Sequence, residues 1–206
     1  GIDTPEWFFE KDFRLGESSA YSHLKRLTDL VIGIVALILS LPILLVTIIA
    51  IRLDSPGAAI FRQKRVGLRG REFTIYKFRT MTLNSELAGS TTTKGDARIT
   101  RLGNFLRKVR IDELPQTWSV LKGEMSLVGP RPVTAAEMPH YAENKTYYEQ
   151  VLPGITGLWQ VSGRSEADYP TRVALDVWYV RNWSLWTDVV ILLKTASVVI
   201  QRKGAY

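Results

Sequence analysis

The chain has 206 residues, enough for one globular domain with an appendage but hardly for two full domains. Apolar residues make up 46% of it, which excludes wholesale disorder, and the absence of cysteine excludes disulfide scaffolds and thiolate catalysis. Lysine and arginine outnumber aspartate and glutamate by 27 to 20, and a net charge of +7 favours anionic partners: nucleic acid, phosphorylated substrates or an acidic bilayer surface. Only His23 and His140 remain for any zinc site.

A long apolar run follows a lead-in over residues 1–23 that is rich in charged and aromatic side chains. Residues 30–51 are 22 positions without a charge, and a membrane helix needs about 20. Pro42 lies inside this run, where a proline removes a backbone hydrogen bond and costs a straight helix about 3 kcal/mol. The sequence therefore predicts a membrane segment over residues 24–53 that proline interrupts.

Two topologies fit this segment. One is a single span with a proline kink. The other is a re-entrant hairpin that enters and leaves by the same membrane face, because basic residues flank the run on both sides, from Lys25 before it to Arg52 after it. The arm before Pro42 has 12 residues, about 18 Å of helix against a hydrocarbon thickness of ~30 Å. The Ser40 hydroxyl could satisfy a carbonyl freed at the break. The residues alone leave both topologies open.

The rest of the chain, residues 54–206, is expected to form one domain of mixed α/β class, mostly helical with a few short strands. Alternating patterns predict strands, and apolar residues at helical spacing predict helices. Gly129-Pro130-Arg131-Pro132 cannot be helical and is expected to form a rigid, extended turn. The predicted strands cover residues 59–63 and 72–79, and the predicted helices cover residues 99–109, 116–121, 169–181 and 184–202.

One acidic pair stands out once the common motifs are excluded. The chain has no GxxxxGK[ST], GxGxxG, GxSxG or HExxH sequence. Asp112 and Glu113 lie before a predicted helix and after several arginines. Acids at this position can simply complement the helix dipole, for about 0.3–1 kcal/mol. Alternatively, one carboxylate attacks phosphorus and the other holds a divalent cation, while arginines such as Arg131 bind phosphate oxygens. The pair itself does not decide between these interpretations.

Five blocks in fixed order carry a resemblance to a known family. Over residues 24–206 the chain resembles the bacterial sugar transferases, the monotopic phosphoglycosyl transferases, and most of all the catalytic domains of undecaprenyl-phosphate galactose phosphotransferases. Some small members have serine directly before the helix-breaking proline, whereas Leu41 stands here and Ser40 is one residue earlier. The blocks are FRQKRVG (61–67), IYKFRTM (75–81), RIDELPQTWSVLKGEMSLVGPRP (110–132), PGITGLWQVSGR (153–164) and DVWYVRNWSLWTD (176–188).

This resemblance implies the transfer of a hexose 1-phosphate, from galactose or glucose, from a UDP-sugar to undecaprenyl phosphate, with release of UMP. It implies a covalent aspartyl-phosphosugar intermediate and a place at the first membrane step of O-antigen, capsule or exopolysaccharide synthesis. Asp112 corresponds to the nucleophile, and Glu113, together with Asp112, to the Mg²⁺ ligands. The residues implied in substrate and phosphate binding are Lys77, Arg79, Arg107, Arg131 and Arg164.

The resemblance also bears on topology and partners. It favours the re-entrant hairpin, broken at Ser40–Pro42, with amphipathic helices in the interface of the bacterial inner membrane and the catalytic domain on the cytoplasmic face. The expected partners are the UDP-sugar, undecaprenyl phosphate and membrane lipid. A nucleic-acid-binding module on a membrane anchor is disfavoured because the tryptophans cluster beside an apolar helix, and a structural scaffold would not need clustered arginines and acids. The sugar, a homodimer, and membership of a longer multi-span enzyme stay open.

Overall fold

The computed structural model describes residues 19–82, 96–162 and 168–201, with side chains from residue 22 onward. Within these residues the chain is mostly helical with a few short strands, which confirms that part of the predicted fold class. The lead-in predicted over residues 1–23 lies largely outside the described residues. The helices are α1 (Ser19–Asp54), α2 (Arg101–Lys108), α3 (Thr117–Lys122), α4 (Lys145–Tyr148), α5 (Leu158–Val161), α6 (Tyr169–Arg181) and α7 (Leu185–Ile200). The strands are β1 (Ile60–Val66), β2 (Glu72–Phe78), β3 (Ser126–Val128) and β4 (Gly154–Thr156). Short 3₁₀ helices cover Leu68–Gly70, Ile111–Gln116 and Met138–Asn144.

Helix α1 is a single assigned helix of 36 residues that continues through Pro42. Among the described residues it is the one helix that is long and apolar enough to cross a membrane, judged by length and composition. Most of its large apolar side chains are exposed, so α1 fits a membrane-associated helix. The hairpin with a break at Ser40–Pro42 stays a prediction, as do the domain boundaries at residues 23 and 53. The buried positions form one stripe: Asp29, Gly33, Ser40, Thr47 and Ile51.

Strands β1 and β2 form an antiparallel hairpin in which Ile60 pairs with Phe78 and Val66 with Glu72. The alternating pattern predicts both strands, and β1 extends three residues beyond the predicted end. Strand β2 lies between two parts of the core. Ile75 packs in a cluster with Val120 of α3, and Phe78 packs in another cluster that includes α1. This strand therefore links the membrane-associated helix to the rest of the domain.

A second, parallel pair of strands joins β3 to β4 and was not predicted. Each strand has only three residues, too few to produce a periodic pattern. Glycines make the pairing possible, since a β-carbon on Gly154 would meet the backbone nitrogen of Gly129, and one on Gly157 would meet the carbonyl oxygen of Gly129. The amide of Gly129 donates to the carbonyl of Thr156 over 2.9 Å. This close approach fixes the backbone immediately before Arg131.

Helices α6 and α7 share a buried cluster with α3, β2 and β3. Asp168 and Ser184 cap their N-termini by accepting hydrogen bonds from the amides of Thr171 and Thr187. The predicted range of α6 matches the structure, and α7 is shorter than predicted at both ends. The buried residues shared by these helices, α3, β2 and β3 are Ile75, Val120, Met125, Leu127, Val128, Tyr179, Val180, Trp183 and Ile191.

Candidate active site

Asp112 and Glu113 lie in the first turn of the 3₁₀ helix Ile111–Gln116, between α2 and α3. Arg110 precedes them in the left-handed conformation, with φ 59° and ψ 18°. A non-glycine residue in this region is uncommon and breaks the preceding helix sharply. The break turns the chain so that the acidic pair comes close to β2, which carries Lys77.

Three cations surround the carboxylate of Glu113. Lys77 Nζ donates to its Oε1 over 3.0 Å, Arg131 Nη1 lies 3.4 Å from the same oxygen, and Arg110 Nη1 lies 3.9 Å from Oε2. The side chain of Glu113 is only 12% exposed. Burial acts to raise its pKa, but Lys77, Arg131 and Arg110 outweigh burial and hold the pKa at about 2. Glu113 is therefore ionised at any physiological pH.

The neighbouring Asp112 has the opposite electrostatic character. No residue in the described part of the chain donates a hydrogen bond to its side chain. Burial and the charge of Glu113 raise its pKa to about 6, although Lys77, Arg107 and Arg110 act against this increase. The two adjacent carboxylates thus differ. Glu113 is held by three cations, whereas Asp112 is open, in the sense that no described residue donates a hydrogen bond to it, and its pKa is higher than that of an ordinary aspartate.

Lys77 and Arg131 reach the acidic pair from separate parts of the fold. Burial lowers the pKa of Lys77, and Glu113 opposes that decrease. Arg131 lies in the turn that β3 and β4 fix, and the amide of Gly154 donates to the carbonyl of Pro130 over 2.8 Å. The side chain of Arg131 is 34% exposed, so it can contact both Glu113 and a bound anion.

The other predicted phosphate-site residues are placed differently. Arg107 Nε donates to Thr80 Oγ1 over 2.8 Å, and its charge acts on Asp112. Arg79 instead donates to the carbonyls of Pro56 and Ser55, immediately after α1, over 2.8 and 2.7 Å. The structure therefore brings together Lys77, Arg107, Asp112, Glu113 and Arg131, with Arg79 at the end of the membrane-associated helix. Arg164 lies outside the described residues.

At the predicted break in α1, the Ser40 hydroxyl donates to the carbonyl of Leu37 over 3.0 Å. Ser40 itself is buried, while Pro42 is exposed. The carbonyl that Pro42 leaves without an amide donor is that of Ile38, four residues earlier. The prediction that Ser40 satisfies the freed carbonyl is therefore wrong, because its hydroxyl bonds the preceding carbonyl instead.

Sequence reasoning gave no specific role to Arg110, which completes the cations around Glu113. Its position depends on the left-handed backbone at this residue, and an arginine gives no sequence signal for that conformation. The only signal was its place directly before the Ile-Asp-Glu segment.

The oxygens of the acidic pair fit a magnesium ion. The described residues contain no group of three or more His, Cys, Asp or Glu side chains that could hold a metal. Mg²⁺ needs fewer protein ligands, because one or two carboxylates suffice when substrate phosphates and water complete the shell. Asp112 has no competing hydrogen bond among the described residues, and Glu113 Oε2 has only the distant Arg110 contact. These carboxylates are the ligands that the site offers.

Comparison with known proteins identifies the family. The sequence profile of the bacterial sugar transferases matches residues 20–202. The chain belongs to this family. The family predicted from the sequence blocks is therefore confirmed.

Three named relatives match most of this chain. A UDP-galactose-lipid carrier transferase of Erwinia amylovora is 49% identical and an undecaprenyl-phosphate galactose phosphotransferase of Salmonella typhimurium is 47% identical. Each alignment is 199 residues long, and the match covers 89% of this chain and 42% of the relative. A UDP-glucose:undecaprenyl-phosphate glucose-1-phosphate transferase of Xanthomonas campestris is 44% identical in an alignment 193 residues long, and the match covers 88% of this chain and 40% of the relative. The chain thus spans less than half the length of these relatives.

Proposed function

We propose that this sugar transferase moves a hexose 1-phosphate from a UDP-sugar to undecaprenyl phosphate. The relatives whose names specify such reactions are 44% to 49% identical to it in an alignment that covers most of this chain. The observation that carries the proposal is the division between the two carboxylates. Glu113 is held by Lys77, Arg110 and Arg131, while Asp112 is left open beside the same positive charges. An open carboxylate among cations is suited to attack a phosphoryl group.

In the first step, an oxygen of Asp112 attacks the phosphorus that carries the hexose. The bond from this phosphorus to the bridging oxygen breaks, UMP leaves with that electron pair, and an aspartyl-phosphosugar remains. In the second step, an oxygen of the lipid phosphate attacks the same phosphorus, and the Asp112 carboxylate leaves. Each step forms one P–O bond and breaks another, so one difficult transfer is divided into two easier ones.

The cations around the pair reduce the repulsion between a carboxylate and a diphosphate. Arg131 is partly exposed and can bind phosphate oxygens while it contacts Glu113. Arg107 lies close enough to act on the charge of Asp112. Mg²⁺, held by Asp112, Glu113 and phosphate oxygens, would further neutralise the charge that develops on the transferring group.

We further propose that α1 is re-entrant, because the part of α1 before Pro42 contacts the catalytic domain. Lys25 Nζ donates to Asp188 Oδ2 over 2.6 Å, and Arg26 donates to the carbonyls of Val120 and Leu121. Asp29 Oδ1 accepts from the amide of Leu127 over 3.0 Å. This end of the helix is therefore tied to α3, β3 and α7.

The part of α1 after Pro42 contacts the same domain. Ile51 packs in a buried cluster with Phe78 of β2 and Leu106 of α2, and Leu44 borders that cluster. Between the two contacting parts only residues 34–43 remain, about 15 Å of helix against a hydrocarbon thickness of ~30 Å. A segment this short cannot place its two ends on opposite sides of a bilayer, which supports a helix that enters and leaves by one face.

Single-cysteine labelling tests this topology, because these 206 residues contain no cysteine. Leu24→Cys and Leu53→Cys introduce thiols at exposed positions before and after the apolar run. We expect both thiols to resist a membrane-impermeant reagent in intact cells and both to react in inverted membrane vesicles. A thiol labelled in intact cells at either position would contradict the re-entrant arrangement.

An apolar groove between α1 and α2 supports the proposal that the acceptor is a lipid. It has a cavity volume of about 370 Å³ and runs from Pro42 and Val46 past Phe105 to Ile111. Ile111 directly precedes Asp112, so the lining of the groove ends one residue before the proposed nucleophile. We propose that it holds the first isoprene units of undecaprenyl phosphate. A prenyl chain in the groove would present its phosphate to the second step.

Exposed apolar side chains of α7 support a position at the membrane interface. Trp186, Val189, Leu193 and Ile200 are all exposed and recur at intervals of three, four and seven residues. This spacing puts them on one side of the helix. Such a stripe is suited to lie in the headgroup layer, where tryptophan is favoured.

The proposed function is tested by UMP release from UDP-galactose and UDP-glucose. With undecaprenyl phosphate we expect continuous release, and without it a single burst of about one UMP per enzyme. Val46→Glu should raise the KM for the lipid acceptor and leave the UMP burst unchanged. Leu45→Glu is the control, because Leu45 is exposed and lies outside the groove, and this change should not raise the KM for the lipid acceptor. The absence of UMP release with any UDP-sugar and lipid phosphate would contradict the proposal.

A further inference from the structure

A small cleft extends from Arg131, and apart from this arginine its side chains have no role in the proposed mechanism. Its walls come from residues 131–133, Glu137, Tyr141, α5 and α6. The cavity volume is about 50 Å³, room for one or two polar groups and too little for a whole sugar nucleotide. A ligand that uses this cleft must therefore insert only part of itself.

Asp176 of α6 lies in the wall of this cleft. It is 2% exposed, and its Oδ2 accepts a hydrogen bond from the Tyr141 hydroxyl over 2.7 Å. Its Oδ1 is buried and has no hydrogen-bond partner among the described residues. Buried polar oxygens are nearly always paired, since an unpaired one retains the cost of its desolvation. A ligand hydroxyl that enters the cleft could supply the missing hydrogen-bond partner of Oδ1.

Aromatic rings form another part of the cleft. Trp159 and Tyr169 line it, and the guanidinium of Arg172 lies 4.9 Å from the centre of the Trp159 ring. Arg172 covers part of these rings, so apolar C–H groups of a ligand would contact the ring surface that it leaves uncovered. A carboxyl group accepts hydrogen bonds from hydroxyls and, when protonated, donates to them. A sugar offers both kinds of group on one small ring, so the lining suits a sugar.

The protonation of Asp176 fits a hydroxyl partner. Burial raises the pKa of Asp176 to about 8, although the Tyr141 hydrogen bond and Arg131 act to lower it. The group is therefore largely neutral near pH 7 and can donate as well as accept. A hydroxyl has the same dual capacity, whereas a phosphate oxygen at neutral pH mainly accepts.

Arg131 relates this cleft to the chemistry, because it lines the cleft and lies 3.4 Å from Glu113. In a UDP-sugar the hexose is bonded directly to the phosphate that carries the attacked phosphorus, whereas the uracil lies beyond a second phosphate and a ribose. A cleft that shares an arginine with the acidic pair is therefore closer to the hexose. On the basis of the proposed function, we propose that Asp176 hydrogen-bonds a hydroxyl of the transferred hexose and thereby determines which UDP-sugar is accepted.

The test compares kcat/KM for UDP-galactose and UDP-glucose in the wild type and in Asp176→Asn. Asparagine keeps the shape and can still accept from Tyr141, but it presents an amide to the cleft. We expect about a 10-fold decrease for the preferred sugar and about a 5-fold or larger change in the ratio of the two values. Inhibition by UMP, which lacks the hexose, should not change.

Asp29→Asn is the matched control. Asp29 is also a buried aspartate with one oxygen paired and Oδ2 unpaired, but it lies on α1 and does not line the cleft. Its substitution should leave the sugar ratio unchanged. If Asp176→Asn does not fold, Tyr141→Phe provides the same test, because it removes the bond that orients the carboxyl and should shift the ratio in the same direction.

An unchanged sugar ratio in a folded Asp176 or Tyr141 variant would overturn this inference while leaving the transferase activity in place. A wild-type enzyme that releases no UMP from either UDP-sugar would overturn the proposed function and this inference with it. The two failures are therefore distinguishable from the wild-type measurement alone.

Discussion

Two clusters in this molecule each place buried carboxylates beside cationic side chains. They differ in whether every carboxylate oxygen has a hydrogen-bond donor. In the anchor cluster, formed by Lys25, Tyr179, Trp183 and Asp188, every carboxylate oxygen has a donor. Asp188 Oδ1 accepts from Tyr179, and Oδ2 accepts from Lys25 and Trp183. This cluster joins α1, α6 and α7, and its complete pairing suits a structural role.

In the catalytic cluster, formed by Lys77, Arg110, Asp112, Glu113 and Arg131, only one of the two carboxylates is held. Glu113 takes the ion pairs, and Asp112 has no hydrogen-bond donor among the described residues. Leaving Asp112 open has a free-energy cost, because burial and a like charge raise its pKa. In this pair of clusters, the acid without hydrogen-bond donors is the one proposed to react, and each prediction below separates the two clusters.

The largest effect is expected for Asp112→Asn. We expect kcat to fall at least ~1,000-fold, because the amide cannot serve as the nucleophile. The variant should fold. Since the folded-state pKa of Asp112 is raised, its ionised form costs stability above about pH 6, and removing that charge should raise the thermal midpoint by a few degrees at pH 7.5. Below about pH 3, where Asp112 is protonated in both the folded and the unfolded state, the midpoints of the wild type and the variant should agree. A lower thermal midpoint for Asp112→Asn than for the wild type at pH 7.5 would contradict the conclusion that ionised Asp112 destabilises the fold.

Glu113→Gln should have the next largest effect on activity. The change leaves Lys77 and Arg131 without their anionic partner, and it removes a proposed Mg²⁺ ligand. We expect turnover to fall about 100-fold and the Mg²⁺ concentration for half-maximal activity to rise. Full wild-type activity in excess chelator would show that the metal is dispensable.

Asp188→Asn should affect stability and spare catalysis. It removes the charge that pairs with Lys25 in a buried position, and we expect a loss of about 2 kcal/mol in the free energy of unfolding. Because Asp188 lies outside the catalytic cluster, kcat/KM of the folded fraction should stay within about twofold of the wild type. Thermal unfolding in detergent and steady-state kinetics provide the two measurements. A large loss of kcat/KM with normal stability would break the distinction between the clusters.

The smallest expected effect is a shift in pH dependence. Asp112 must be ionised to attack, so kcat/KM should rise with pH as Asp112 ionises. Its pKa of about 6 in the metal-free site is the upper bound for this rise, because bound Mg²⁺ would lower it. Arg107 acts to lower the pKa of Asp112. Arg107→Gln should therefore move the rise to higher pH, by less than one unit. A shift toward lower pH would reverse the assigned sign.

The sequence predicted the elements that have long periodic patterns. Helix α6 matches because Asp168 caps it and its pattern runs for 13 residues. Strands β3 and β4 were missed because their pairing depends on the contact between Gly129 and Gly154, which lie far apart in the chain. The spacing of residues in the sequence also could not distinguish the roles of Asp112 and Glu113. Their difference depends on Lys77, 36 residues before Glu113, and Arg131, 18 residues after it. Such pairings arise from tertiary packing and leave no local pattern.

The covalent intermediate on Asp112 is tested most directly by intact-protein mass spectrometry. Wild-type enzyme is mixed with a UDP-hexose and Mg²⁺ without lipid acceptor and quenched rapidly in acid. We expect one added hexose phosphate per chain, its loss on addition of undecaprenyl phosphate, and no adduct in Asp112→Asn. Glu113→Gln should still form the adduct, more slowly. An undiminished adduct in Asp112→Asn, or an adduct absent from a wild-type enzyme that turns over, would contradict the account.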